Sequence, residues 1–252
     1  MPGWLSGEVI AISMIFARVG AMLMLIPPLG HGNIPAQVKL VLAILITVLL
    51  HPTLLFSLPV IPETPIALAV FLIREIILGL MFGFLARIMI AAVSMAGAII
   101  SLQSGLASAS MFDPSQGEQS LIIGRFMSVA AFCLLFISDT HHLILKGIAH
   151  SYALFQPGSP LMMDDFSELA TQTMVGSFLL AIQLSSPFLV YGLIFNIGLG
   201  LVSRLMPMIQ VFFIAQPLSI FLSLNLLAVS IGLIMVLFTQ RFAESVQTIL
   251  GG

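Results

Sequence analysis

Ser138-Asp139-Thr140-His141-His142, with Lys146 and His150 close behind, brings together side chains that could bind a metal or transfer a proton. Either use needs the donors to converge on one point, and adjacent histidines do not do so on a helix. His142 and Lys146 are one helical turn apart, which sets a positive charge beside a ligand. The segment is therefore read as a connection between helices. No G-x-S-x-G, H-E-x-x-H or phosphate-cradling glycine loop is present, and the serine-rich stretch has no nearby histidine or lysine base. Cys133 stands alone in an apolar run, so neither a disulfide framework nor a cysteine metal site can form. No catalytic residue, cofactor site or metal ligand is assigned.

The elements that carry these residues are those of a membrane protein. Of 252 residues, 60% are hydrophobic and 7% charged, and the mean hydropathy is +1.18. Eight Lys+Arg and ten Asp+Glu are too few to solvate a globule of this size. The net charge of −2 and the lack of a basic cluster argue against nucleic acid as a partner. The start, MPGWLSGEVI, lacks the positive region of a cleavable signal, so the first apolar run is expected to be retained.

The apolar runs are uneven. Val9–Leu29 and Leu121–Ser138 match the roughly 20 residues that a spanning helix needs. Val38–Leu50, closed by His51-Pro52, would rise only about 20 Å against a hydrocarbon core of about 30 Å. Ile66–Ile100 would reach about 52 Å, too long for one span without a break or a large tilt. Met174–Val202 contains Pro187 and Met208–Thr239 contains Pro217, each expected to kink or split its helix. Thr64-Pro65 reads as an N-cap followed by proline at the first helical position. Asp165 with Glu168, and Ser115 with Glu118, read as capping pairs. No strand-period alternation persists, and the fold class is all-α.

Two features inside this apolar background invite a role. The first is four charges, Arg18, Arg74, Glu75 and Arg87, read as buried for pairing between helices or subunits, with an ion or proton path as the alternative. A central arginine costs about 2.5–3.5 kcal/mol on insertion, so Arg18 needs a partner. Arg74 and Glu75 are adjacent and point to different sides of a helix, so they do not pair with each other. The second is the polar island Ser101–Ser120, SLQSGLASASMFDPSQGEQS. Irregular backbone of this kind cannot face lipid and must line a cavity or pack inside protein. Its helix is expected to break around Ser110–Pro114, because Asp113 precedes a proline. Gly79 and Gly83, then Gly97, Ser101, Gly105 and Ala109, form an i+4 ridge of small residues of the kind that lets helices approach closely.

FARVGAMLMLIPPLG around Arg18, IPAQVKL at Ile34–Leu40, SGLASASMFDPSQGEQS, DTHHLILKGIAHSY at Asp139–Tyr152 and RLMPMIQVFFIAQPLSIFLSL at Arg204–Leu224 resemble the FliR family of flagellar export-gate proteins. The resemblance covers nearly the whole chain in order. It implies an all-helical subunit of kinked hairpins, FliP-like over about 1–156 and FliQ-like over about 157–252. It implies assembly with FliP and FliQ, with FlhB and FlhA nearby, in the bacterial inner membrane at the flagellar basal body. The assembly would be a closed conduit for unfolded flagellar proteins, with lipid around it. It also implies a plug, carried here by Gly105, Leu106, Ala107, Ser108, Ala109, Ser110, Met111, Phe112, Asp113 and Pro114. Two readings stand beside it: an independent small-solute or ion transporter, and an intramembrane enzyme using Asp139, His141 and His142.

Overall fold

A computed structural model describes residues 7–26, 34–54, 64–106, 122–157, 163–206 and 211–249, and among them every regular element is a helix. In chain order these are α1 (Gly7–Leu25), α2 (Ala36–Leu54), α3 (Pro65–Gln103), α4 (Ile122–Ile137), α5 (His141–Leu154), α6 (Met163–Leu205) and α7 (Val211–Ile249). Helices α1, α2, α3, α6 and α7 are each long and apolar enough to cross a membrane, and α4 with α5 pass the same test as a pair. The all-α membrane class is borne out.

Several boundaries differ from expectation. Helix α2 does not stop at His51-Pro52. It has 19 residues, runs through Pro52 to Leu54, and rises about 28 Å. Helices α6 and α7 run through Pro187 and Pro217, so neither proline splits its helix. A proline removes one i→i−4 hydrogen bond, and without water the freed carbonyl needs another donor. At Pro187 that carbonyl belongs to Gln183, and the Ser186 hydroxyl donates to it at 2.8 Å. Helix α3 continues unbroken for 39 residues, about 58 Å, which leaves a large tilt as the expected alternative to a break; no proline follows Pro65 within it.

The helix ends follow local chemistry. Thr64 caps α3: its Oγ1 accepts from the Ala67 N–H at 3.3 Å, with Pro65 as the first helical residue. At the other end α3 stops at Gln103, while the break expected around Ser110–Pro114 lies outside the described residues. Gly105 takes φ +78°, a left-handed conformation that suits glycine and ends the helix. Helix α6 begins at Met163, two residues before Asp165. Ser115 and Glu118 lie outside the described residues.

The chain forms two compact units that interleave along the sequence. One comprises Met1–Met89, Asp139–Met174 and Ala243–Gly252; the other comprises Ile90–Ser138 and Val175–Phe242. In the first, Ile15, Val19, Met22 and Leu23 of α1 pack with Ala43 and Leu54 of α2, Phe82 of α3, and Ile148 and Tyr152 of α5. The Phe82 and Phe155 rings meet edge to face at 5.6 Å. In the second, the α3 continuation crosses α4 at Gly97 and Gly124, where a Cβ on Gly97 would overlap the Gly124 Cα and lie 2.7 Å from its nitrogen. Ser94 Oγ and Ser128 Oγ share a hydrogen bond of 2.8 Å beside this crossing. Much of α2 and α7 is apolar and exposed, including Val41, Leu49, Val229 and Leu233.

Candidate functional site

Arg18 is 0% exposed and Glu75 is 1% exposed, and the fold brings them together. The guanidinium meets the carboxylate side-on, Nε to Oε2 at 2.6 Å and Nη2 to Oε1 at 3.1 Å. Its remaining donors reach the end of α5: Nη1 donates to the Ser151 carbonyl at 3.0 Å and the Ser151 hydroxyl at 3.4 Å, and Nη2 to the Phe155 carbonyl at 3.0 Å. All five guanidinium N–H groups are thereby used. The Ser151 carbonyl also accepts the Phe155 N–H at 2.9 Å, and the C-terminal end of a helix carries partial negative charge, so a buried cation at this point is favoured. Tyr152 lays its ring 4.0 Å from Arg18 Cζ, adding a cation–π contact in a desolvated setting. Its hydroxyl donates to the Ile15 carbonyl at 3.5 Å.

The geometry depends on a glycine. Glu75, Gly79 and Gly83 are spaced i, i+4, i+8 on α3 and so share one face. A Cβ on Gly79 would overlap the Arg18 carbonyl oxygen and lie 2.9 Å from Ala21 Cβ, while one on Gly83 would lie 2.9 Å from Leu25 Cβ. The backbones of α1 and α3 therefore touch, and this approach lets the Glu75 side chain reach Arg18. Arg74 and Arg87 do not join this pair. In the single chain Arg74 is half-buried and Arg87 is exposed. At 100° per residue Arg74 points a quarter-turn from Glu75 and Arg87 a third of a turn, so neither shares the face that α1 covers.

A second polar cluster sits where the island begins. Gln216 Nε2 donates to the Gly105 carbonyl at 3.1 Å, and Ser219 Oγ to the Ser104 carbonyl at 3.4 Å. Tyr191 Oη donates to the Ser219 carbonyl at 3.0 Å and lies 3.3 Å from its hydroxyl. Gly192 leaves room for Gln103, whose Oε1 occupies the place of a Cβ there. The end of α3 is thus fastened to α6 and α7. Of the expected plug residues, Gly105 and Leu106 are described; Ala107, Ser108, Ala109, Ser110, Met111, Phe112, Asp113 and Pro114 lie outside the described residues. Sequence reasoning missed Tyr191, Gln216 and Ser219, whose signal was a polar atom within an otherwise apolar helix. Ser151 and Tyr152 were missed likewise.

The Asp139 segment also departs from expectation. His141 and His142 are helical residues at the start of α5 rather than loop residues. One ligand atom each from Asp139, His141 and His142 lies within 4.8 Å of the others, where divergence was expected. The reason is local: Asp139 takes φ 54°, and its carbonyl accepts from the His142 N–H at 3.0 Å, which folds the turn back over the first residues of the helix.

Comparison with known proteins decides the family. Residues 9–245 match the profile of "Bacterial export proteins, family 1". The chain is 38% identical over 237 residues to the flagellar biosynthetic protein FliR of Caulobacter vibrioides, covering 94% of each. The chain belongs to the FliR family. The FliR of Bacillus subtilis is 31% identical over 241 residues, 94% of this chain and 92% of that protein. Yop proteins translocation protein T of Yersinia pestis is 30% identical over 147 residues, 58% of this chain and 56% of its own. This FliR-family chain is a membrane component of a type III export apparatus.

Proposed function

We propose that the chain is a structural subunit of the flagellar protein export gate, acting without catalysis in the inner membrane. With FliP- and FliQ-like proteins it builds a closed conduit for unfolded flagellar proteins, with FlhA- and FlhB-like proteins beside it. Its first part, about 1–156, serves as the FliP-like piece and about 157–252 as the FliQ-like piece. The observation that carries this reading is the family match over residues 9–245. The Arg18–Glu75 contact supports a structural rather than a proton-carrying role for that pair, since every guanidinium donor is engaged.

Gly105 to Pro114 acts as the plug in this reading. A conduit wide enough for unfolded polypeptide leaks ions at rest unless it is sealed. Small residues at Ser104–Ser110 permit close packing, and Met111 and Phe112 supply an apolar tip. The anchoring of Ser104 and Gly105 to α7 supports a loop with a fixed base. Deleting Ala107–Phe112 is expected to leave assembly intact while raising ion and small-molecule permeability of resting cells. Normal assembly with a membrane that stays tight would assign the loop to packing alone.

A further inference from the structure

We propose that Asp139, His141 and His142 bind a single divalent first-row transition ion of the zinc, nickel or copper(II) type. This inference does not rest on the proposed conduit. Three donors of suitable chemistry lie within 4.8 Å of one another. Two are imidazoles and one a carboxylate, a set that suits borderline transition ions, whereas calcium and magnesium take oxygen ligands.

The turn supplies the convergence. Asp139 is held in the left-handed region, which Asp and Asn tolerate better than other side chains, and this sends its carboxylate back towards α5. Its Oδ1 lies 3.6 Å from His142 Nδ1. The rings of His141 and His142, although sequence neighbours, lie 4.2 Å apart by centroid and only 34° from parallel. Metal–nitrogen and metal–oxygen bonds of about 2.0–2.2 Å place tetrahedral ligands about 3.3 Å from each other. The donors must therefore close by at most about 1.5 Å. The side chains of His142 and Asp139 are 60% and 79% exposed, so rotamer changes cover that distance and an ion has free access. Water fills the remaining coordination position. Lys146, exposed one turn along α5, opposes the ion weakly, because solvent screens its charge.

The test uses the full-length chain, purified from membranes with its bound subunits on a tag that contains no histidine, stripped with chelator and titrated with cobalt(II) and zinc. The expected result is one cobalt per chain with visible ligand-field absorption, displaced by zinc. His142→Ala and Asp139→Asn should each weaken binding at least tenfold, Asp139→Asn keeping a residue that tolerates the turn. His150→Ala, two turns beyond the cluster, should leave binding unchanged. Binding that is equal in the wild type, His142→Ala and Asp139→Asn would overturn the site, as would no saturable binding by the wild type.

Discussion

Replacing Glu75 by alanine is expected to cause the largest loss of folded protein of any single change in this chain. The substitution leaves the Arg18 guanidinium, 0% exposed, without its counter-charge. Breaking a buried pair by removing one partner costs about 3–5 kcal/mol, because an uncompensated charge stays buried. The carbonyls of Ser151 and Phe155 soften that cost without neutralising the cation. Replacing both partners by apolar residues of similar volume, as in Arg18→Met with Glu75→Leu, removes the desolvation problem together with the attraction and is expected to recover most of the stability. Quantifying membrane-inserted protein and its resistance to thermal aggregation for Glu75→Ala, and for Arg18→Met, Glu75→Leu and their double variant, closes the cycle. A double variant no better than Glu75→Leu alone would show that the two side chains are not energetically coupled.

The second large effect is expected at glycines that hold helices backbone to backbone. A methyl group on Gly97 would collide with Gly124, and one on Gly79 would collide with the Arg18 carbonyl. In both places the obstacle is backbone, which cannot rotate away as a flexible side chain can. Gly97→Ala and Gly79→Ala should each cost at least the roughly 1–3 kcal/mol typical of overpacking. Gly79→Ala should also lengthen the Arg18–Glu75 contact. At Gly176 and Gly232 an added methyl would meet nothing within 4 Å, so alanine there should be neutral or stabilising by up to about 1 kcal/mol through helix propensity. Comparing thermal stability across the four variants checks the contrast. Equal behaviour at all four positions would contradict the close crossings.

Much of this was legible from residue order, and what was not has physical reasons. Thr64-Pro65 announced the start of α3 because capping is local chemistry. The need of Arg18 for a partner was likewise plain from its setting. Its identity was not, since Glu75 becomes the partner only once Gly79 brings α3 against α1, and the neighbour of a helix is not written in its periodicity. Pro52 did not close α2, and Pro187 did not split α6, where the Ser186 hydroxyl replaces the bond that the Gln183 carbonyl loses. The close approach of Asp139, His141 and His142 was missed because the positive φ at Asp139 changes where its carboxylate points. The polar partners of Ser104 and Gly105 come from α7, more than 100 positions away in the chain.

The most direct measurement of the central claim is coexpression of the tagged chain with the FliP- and FliQ-like proteins of the same bacterium, followed by purification in detergent and intact-mass analysis. The expected result is a single stable assembly that retains both partners, with a marked rise in the amount of this chain over its level when expressed alone. A long-lived, monodisperse monomer that retains neither partner would contradict its role as a subunit of an export gate.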